Sequence, residues 1–156
     1  MTEPSAPASF APDSASRYLP AFIAANGETV ERALARNGAV LLRGFEVATP
    51  QDFDEAVQAM PGENFSYRES LSNAVRVNVT PRVFTANEAP PETEIFLHHE
   101  MAQTPIYPSR LAFFCEIAPD GGGATPLCRS DLLMERLEAE LPELAAAFAK
   151  KGVRYT

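Results

Sequence analysis

The sequence is short of basic residues, of any leader-like segment and of long apolar runs, and each shortage excludes a class of function. There are 13 Lys and Arg against 21 Asp and Glu, so the net charge of −8 offers no electrostatic footprint for a phosphate backbone. The first sixteen residues contain no Lys or Arg and no apolar core, unlike a secretory signal. No apolar run approaches the ~20 residues that a bilayer-spanning helix needs. These absences predict a cytoplasmic protein that binds neither nucleic acid nor membrane.

Cysteine is also scarce. Cys115 and Cys128 are the only two, and they form no CxxC pair. A cytosolic setting would keep both reduced. Because a free cysteine usually behaves as a small hydrophobic residue, we expect two plain buried thiols.

The length of 156 residues suits one domain, in which order is expected to begin at residue 17. Residues 1–16 are rich in Pro, Ser and Ala and are predicted to be a flexible tail. Caps and helical spacing predict helices at 29–36, 50–60, 130–137 and 142–151. Apolar or alternating runs predict strands at 39–42, 75–79, 111–115 and 153–156. Helices first, then strands around a histidine–acid centre, indicate an α+β fold with a β core rather than alternating β-α-β units.

Several local signals sharpen these predictions. Thr49 is a good N-cap whose capping box is completed by Asp52, and Gly38 supplies a left-handed stop. Ser130 is expected to cap the third helix. The valines at 75, 77 and 79 alternate with polar residues, as in a half-buried strand. The continuous apolar run at 111–115 suits a strand covered on both faces.

His98-His99-Glu100 is the one dense cluster of possible metal ligands. In an extended segment His98 and Glu100 point the same way, so they can meet one metal, while His99 points away. Two imidazoles and a carboxylate on one octahedral face suit iron(II) and leave positions for a co-substrate and oxygen. With 21 acids among 156 residues, however, an acid two places after a histidine arises easily by chance. The alternative is a surface turn with a loose His–Glu pair worth ~0–1 kcal/mol.

The glycines at 121–123, followed by Ala124 and Thr125, do not form a phosphate loop, because no Lys follows them and no GxGxxG is present. A flexible turn is the plain interpretation. Alternatively, Thr125 presents its hydroxyl beside a bound carboxylate. Arg76 and Gln103 are candidates to face a pocket, but surface placement is the expectation for both.

The order of these motifs resembles the taurine dioxygenase family, and within it the branch that uses HxE, including clavaminate synthase-like and antibiotic-biosynthesis members. The resemblance runs from about residue 39 to 156, and its specific part is 96–127. The residues that carry it are His98-x-Glu100, Pro108, the run at 111–115, Pro119 and Gly122-Gly123-Ala124-Thr125-Pro126-Leu127, with support from Leu42-Arg43-Gly44-Phe45 and from Gly152-Val153-Arg154-Tyr155.

The resemblance implies a non-haem iron(II)- and 2-oxoglutarate-dependent dioxygenase with a double-stranded β-helix (jelly-roll) core behind N-terminal helices. Residues 17–156 would be the N-terminal part of that domain, so the core is incomplete in this chain. His98 and Glu100 would be the first two metal ligands, and Thr125 would bind a 2-oxoglutarate carboxylate. Such an oxidoreductase uses oxygen to hydroxylate an unactivated C–H bond of a small-molecule or amino-acid-like substrate, while 2-oxoglutarate becomes succinate and carbon dioxide.

The sequence departs from the family pattern in two places. Where an acid and then an Arg are often found after Thr-Pro-Leu, this chain has Arg129 and Asp131, with the signs exchanged. The family also closes its metal triad with a distant downstream His and anchors 2-oxoglutarate with an Arg beyond it. This chain has only two histidines, His98 and His99.

Three hypotheses therefore stand. The first is an enzyme sequence cut short. The second is a non-catalytic half jelly roll whose open sheet edges bind a partner or form a homo-oligomer. The third is a small metal-binding β protein that uses His98, His99 and a cysteine, although the spacing typical of zinc sites is missing.

Overall fold

The computed structural model describes residues 6–14, 16–64, 74–90 and 92–154. In these residues the elements are, in chain order, β1 (Ala8–Phe10), α1 (Leu19–Asn37), β2 (Val40–Leu42), α2 (Pro50–Gln58), α3 (Ser130–Glu140) and α4 (Pro142–Lys151). None of the helices found there is both long and apolar enough to cross a bilayer. The described residues thus combine helices with one two-stranded sheet, and they do not complete a jelly roll.

The first three elements form a β-α-β unit. β1 pairs in parallel with β2, with Ala8 opposite Val40 and Phe10 opposite Leu42. Parallel neighbours require a crossover connection, and α1 provides it. One prediction is wrong here, because the expected tail at 1–16 contains a strand. The single β-α-β unit was not predicted, but it does not make an alternating series and is compatible with the α+β class. A strand of only three residues is too short for its alternation to stand out in a Pro-rich segment.

Helix α1 begins at Leu19, well before the predicted start at residue 29, and ends where predicted. Proline in the first turn lacks an N–H that would have had no helical partner anyway. Gly27 lies inside the helix, where glycine costs ~1 kcal/mol relative to alanine. Because glycine is unfavourable in a helix, the sequence predicts a helix that begins only after residue 27. Gly38 ends the helix with φ of +76°, and its N–H donates to Leu34 O at 2.8 Å.

The capping box predicted for α2 is confirmed. Thr49 Oγ1 accepts from the Asp52 N–H at 3.2 Å, and the Asp52 carboxylate accepts from the Thr49 N–H at 2.9 Å. A further N–H, from Ala48, donates to the same carboxylate. These hydrogen bonds, with that of Ala48 first, hold the pKa of Asp52 below its usual value.

The hydrophobic core lies among α1, α2 and β2. Its buried members are Leu19, Ile23 and Ala56. Partly buried side chains complete it: Phe22, Leu42, Phe45, Val47, Ala59 and Met60. The ring of Phe22 lies 6.0 Å from that of Phe10 and 4.8 Å from that of Phe45, in the tilted arrangements that aromatic pairs prefer.

The strand predicted at 75–79 is wrong for this structure. An isolated antiparallel bridge joins Asn78 to Phe84, and main-chain hydrogen bonds run from Thr85 N–H to Val77 O and from Glu88 N–H to Val75 O, but no regular strand forms. The alternation survives with its polarity reversed, because Val75 is 62% exposed while the side chain of Arg76 is only 19% exposed. No element among the described residues covers the valine face.

The apolar run at 111–115 is not a strand either, and Phe113 is 72% exposed. Phe114 is the exception, since its ring stacks on Phe53 of α2 with centroids 5.5 Å apart. Cys115 and Cys128 are both exposed, so the expectation of buried thiols is wrong. Burial of this run requires neighbouring strands, and the described residues supply none.

The two C-terminal helices follow the prediction more closely. α3 begins at Ser130 and continues to Glu140, three residues past the expected 137. α4 begins at Pro142 and stops before Gly152, whose N–H donates to Phe148 O at 2.9 Å. The last predicted strand is not seen at 153–154, and its remaining residues, 155–156, lie outside those that the structure describes.

Candidate functional site

The imidazole of His98 is held in one orientation by the main chain. Its Nδ1 lies 2.6 Å from the carbonyl oxygen of Phe96. A carbonyl can only accept a hydrogen bond, so Nδ1 must carry the proton, and in the neutral ring Nε2 keeps its lone pair. Histidines that bind metals usually donate their other ring N–H in this way. His98 is therefore prepared to coordinate through Nε2.

Glu100 lies beside that nitrogen. Its Oε2 is 4.0 Å from His98 Nε2, and its side chain is only 14% exposed. Arg76 approaches both carboxylate oxygens with one guanidinium nitrogen, at 3.3 and 3.5 Å. Arg76 also donates to Thr85 O at 3.4 Å. The expected surface placement of Arg76 is wrong, while Gln103 is exposed as predicted.

The donor atoms of this pair fit a divalent metal. Two ligands at right angles and about 2.1 Å from one ion are roughly 3 Å apart, so the 4.0 Å between His98 Nε2 and Glu100 Oε2 requires a closure of about 1 Å. One imidazole nitrogen and one carboxylate oxygen suit iron(II). Among the described residues, no group of three or more His, Cys, Asp or Glu is placed to hold an ion. The described residues thus bring two possible metal-binding side chains together, His98 and Glu100.

His99 points elsewhere, as the alternation of an extended segment predicts. Its Nε2 lies 2.6 Å from Ser130 Oγ, at the start of α3. This contact corrects the expected role of Ser130, because the helix has no side-chain cap and the hydroxyl binds the imidazole. It also removes His99 from the proposed zinc set. The two cysteines contribute nothing to such a set, since Cys115 Sγ faces Ile117 O and Cys128 Sγ faces Arg129 O.

The sign-exchanged pair makes a direct contact. Arg129 Nε donates to Asp131 Oδ1 at 3.0 Å, and a second guanidinium nitrogen reaches Oδ2. Arg129 also donates to Arg36 O, in the last turn of α1, at 3.1 Å. A cation is favoured at that C-terminus and an anion in the first turn of α3. The Arg129 guanidinium lowers the pKa of Asp131 to about 2.

An ionic cluster on α2 fixes the segment that carries Arg76. Asp54 is buried, and its carboxylate accepts from Arg82 at 2.9 and 2.6 Å and from Thr80 at 2.9 Å. Burial raises the pKa of Asp54, but the hydrogen bonds, led by that of Arg82, outweigh it and leave the pKa below its usual value. Arg76 precedes Thr80 and Arg82 in the same turn-containing segment, so this anchor helps to set its approach to Glu100.

The glycine loop makes a tight turn before α3. Gly122 and Gly123 have φ of +71° and +69°, and a Cβ on Gly123 would meet Pro119 Cγ at 2.4 Å. Glycine is therefore needed at 123 for both conformation and space. Thr125 follows in an exposed position. Within the described residues it makes no hydrogen bond to His98 or Glu100, and the contact between His99 and Ser130 is what joins the two motifs.

Arg76 and Ser130 are the contributors whose partners at this site the sequence does not predict. Each lies far along the chain from its partner, by 24 residues for Arg76 and Glu100 and by 31 for His99 and Ser130. A polar residue inside an alternating apolar run was the available signal for Arg76. No comparable signal marked Ser130, because a serine before a helix is ordinarily a cap.

Comparison with known proteins adds independent information. The family model described as taurine catabolism dioxygenase TauD, TfdA family matches residues 2–156. A clavaminate synthase-like protein of Arabidopsis thaliana is 39% identical over 157 aligned residues, covering 96% of this chain and 47% of the relative. The dapdiamide synthesis protein DdaC of Enterobacter agglomerans is 29% identical over 126 residues, covering 81% of this chain and 37% of the relative.

The chain thus spans less than half the length of either relative. The resemblance predicted from the motifs is confirmed, including the clavaminate synthase-like branch. Because the family model extends over nearly every residue, the chain belongs to the taurine catabolism dioxygenase TauD, TfdA family.

Proposed function

We propose that this chain supplies the first two metal ligands, His98 and Glu100, of an iron(II)- and 2-oxoglutarate-dependent dioxygenase. Its reaction would be the hydroxylation of an unactivated C–H bond in a small-molecule or amino-acid-like substrate. Family membership supports the reaction class. The observation that carries the proposal is the His98 ring, whose Nε2 keeps its lone pair and faces Glu100 Oε2 at 4.0 Å.

Each residue has a separate task in this proposal. Iron, with 2-oxoglutarate and oxygen bound, supplies the oxidising chemistry. His98 offers a neutral nitrogen, and Glu100 offers a carboxylate whose charge is balanced by Arg76. Thr125 donates its hydroxyl to a carboxylate of 2-oxoglutarate. The glycine turn allows the main chain to come close to that small dianion without side chains in the way.

The remaining ligand must come from elsewhere. The sequence has two histidines, and His99 is engaged with Ser130. We therefore propose that a third ligand and the Arg that anchors 2-oxoglutarate lie outside residues 1–156. Anaerobic iron(II) binding should then be weak in the 156-residue chain and strong in a longer chain that adds a late His and Arg. Equal, negligible binding in both would end the enzyme hypothesis.

Substitution of the first ligand is the direct test in the longer chain. His98→Ala should abolish the conversion of 2-oxoglutarate to succinate, because one coordination position loses its nitrogen. Gln103→Ala, an exposed neighbour, serves as the matched control and should retain turnover. Succinate production that survives in His98→Ala would remove His98 from the metal site.

The role of Thr125 predicts a smaller change. In the longer chain, Thr125→Ala should raise the 2-oxoglutarate concentration needed for half-maximal turnover about fivefold, the equivalent of ~1 kcal/mol for one hydrogen bond. Thr125→Ser keeps the hydroxyl and should stay near the original value. An unchanged requirement in Thr125→Ala would contradict this role.

A second candidate function is a non-catalytic half jelly roll that binds a partner or a second copy of itself. The exposure of Ile95, Phe96 and Leu97, at 52%, 73% and 62%, favours it, since apolar surface of this kind marks interaction sites. It predicts association that increases with concentration and no ordered iron binding in any longer chain. A sharp monomer in sedimentation at high concentration would count against it.

A further inference from the structure

The hydrogen bond between His99 and Ser130 joins the proposed metal-ligand segment to the N-terminus of α3. The two atoms, His99 Nε2 and Ser130 Oγ, are 2.6 Å apart although the residues are 31 positions apart in the chain. This hydrogen bond favours one orientation of the His99 ring. Its backbone is shared with its two neighbours, so this contact also restricts the segment that carries His98 and Glu100.

The position of Ser130 is itself well fixed. Next to it, Arg129 donates to Arg36 O at the end of α1 and to the carboxylate of Asp131. The Arg129 side chain also lies against Gly38, where a Cβ would meet its Cγ at 3.0 Å. Ser130 is thus held against α1, which belongs to the hydrophobic core. The contact with His99 transmits that fixed position to an otherwise exposed segment.

We propose that His99 is a positioning residue, whose hydrogen bond to Ser130 sets the direction in which His98 and Glu100 face. Adjacent side chains of an extended segment project to opposite sides, so fixing His99 on one side directs its neighbours to the other. The inference rests on the proposed function for its consequence, since the direction matters only if the pair binds a metal. The contact itself is independent of any metal.

The competing interpretation is an ordinary surface hydrogen bond, because His99 is exposed. Such a bond would influence stability slightly and leave the state of His98 unchanged. The two interpretations therefore differ in what happens to His98 when the Ser130 hydroxyl is removed. Since the chain has only these two histidines, their ring signals in a nuclear magnetic resonance spectrum are readily assigned.

The first experiment uses the 156-residue chain without metal. Ring nitrogen chemical shifts at one fixed neutral pH should show His98 as the Nδ1–H form in the original chain, as its bond to Phe96 O requires. In Ser130→Ala, positioning predicts a shift of His98 toward a mixture of the two tautomers. Ser130→Thr retains a hydroxyl and should restore the original spectrum. Unchanged His98 signals in Ser130→Ala would overturn the inference.

The second experiment measures cobalt(II) binding by the paramagnetic shifts that the ion causes in the His98 ring signals. Cobalt(II) is the redox-stable probe, and 2-oxoglutarate is added in excess. Ser130→Ala and His99→Leu should each lower the affinity for cobalt(II) about fivefold, the equivalent of one lost hydrogen bond. The double variant should bind cobalt(II) no more weakly than either single variant. Ser130→Thr should lie close to the original chain. Additive losses, or full affinity in Ser130→Ala, would overturn the inference.

The two experiments separate this inference from the proposed function. If Ser130→Ala alters the His98 tautomer while cobalt(II) never shifts the His98 ring, positioning is supported and the metal site is not. If cobalt(II) binds equally well to the original chain and to His98→Ala, the metal site again fails, and the tautomer result still decides the role of His99. Thermal unfolding of each variant shows whether the fold is intact.

Discussion

Residues 8–60 and residues 74–127 carry similar apolar patterns, but the second region leaves far more of its large apolar side chains exposed. Val83 and Met101 are buried there, at 7% and 3% exposure. Ile23 is 3% exposed on α1, whereas Ile117 is 85% exposed. In the first region β1, α1, β2 and α2 each present an apolar face to another element. In the second, the described residues contain no regular helix or strand, and most of the large apolar side chains are exposed. The comparison teaches that a pattern selects which face is apolar, while burial requires a covering element.

The strongest test of this contrast compares the two isoleucines. Ile23→Ala should cost about 2–5 kcal/mol of the free energy of unfolding, because the truncation leaves a cavity in the core. Ile117→Ala should change it by no more than ~0.5 kcal/mol, as expected for an exposed position. Urea unfolding followed by circular dichroism measures both. Similar losses in the two variants would show that residues 74–127 are as well packed as the core.

The next test addresses the ionic cluster of Asp54, Thr80 and Arg82, which joins residues 74–90 to α2. Asp54→Asn should cost about 2 kcal/mol, because the bonds from Arg82 and Thr80 are largely shielded and one partner is charged. Glu28→Gln breaks the exposed pair with Arg32 and should cost ~0.3–0.5 kcal/mol. Equal effects in urea unfolding would mean that burial gives the Asp54 cluster no advantage.

A smaller effect is expected at the cap of α2. Thr49→Ala removes the acceptor for the Asp52 N–H and should cost ~1 kcal/mol. Thr49→Ser keeps the oxygen and should be nearly neutral. Thermal unfolding separates the two variants. If Thr49→Ala were also neutral, the start of α2 would be held by packing against α1 and not by its capping box.

The smallest expected effect is the contribution of Asp131 to the loss of stability at low pH. Asp131 has its pKa lowered from 3.8 to about 2 by Arg129, so the folded state binds the proton less readily than the unfolded chain does. The stabilisation is complete above about pH 4 and is lost as the pH falls through about 2. Asp131→Asn should reduce the dependence of stability on pH in that interval, measured by acid titration of the circular dichroism signal. An identical acid profile in both proteins would contradict this assignment.

Local signals in the sequence predicted local features well. The Thr49–Asp52 box, the left-handed Gly38 and the proline that opens α4 were all read correctly, since each depends on residues within one turn. The features that were missed depend on distant partners. β1 exists because it pairs with β2, and the valine face at 75–79 remains exposed because no element in the described residues packs over it.

The same division holds at the candidate site. Alternation along one extended segment was enough to predict that His98 and Glu100 converge and that His99 turns away. The partners that fix their orientation, Arg76 and Ser130, come from other parts of the chain, and spacing carries no information about them. Family resemblance is the basis of the proposed reaction class, because composition and spacing by themselves favour an ordinary surface turn.

The pairing of β1 with β2 has a practical consequence for anyone who trims this protein. The Ala8 N–H donates to Ala39 O, and Phe10 O accepts from the Arg43 N–H. Removal of the first ten residues would leave the Ala39 carbonyl and the Arg43 N–H, which flank β2, without these hydrogen bonds and would expose more of Phe22. A version shortened in this way should therefore be less stable than the full chain, because it loses the pairing of β1 with β2.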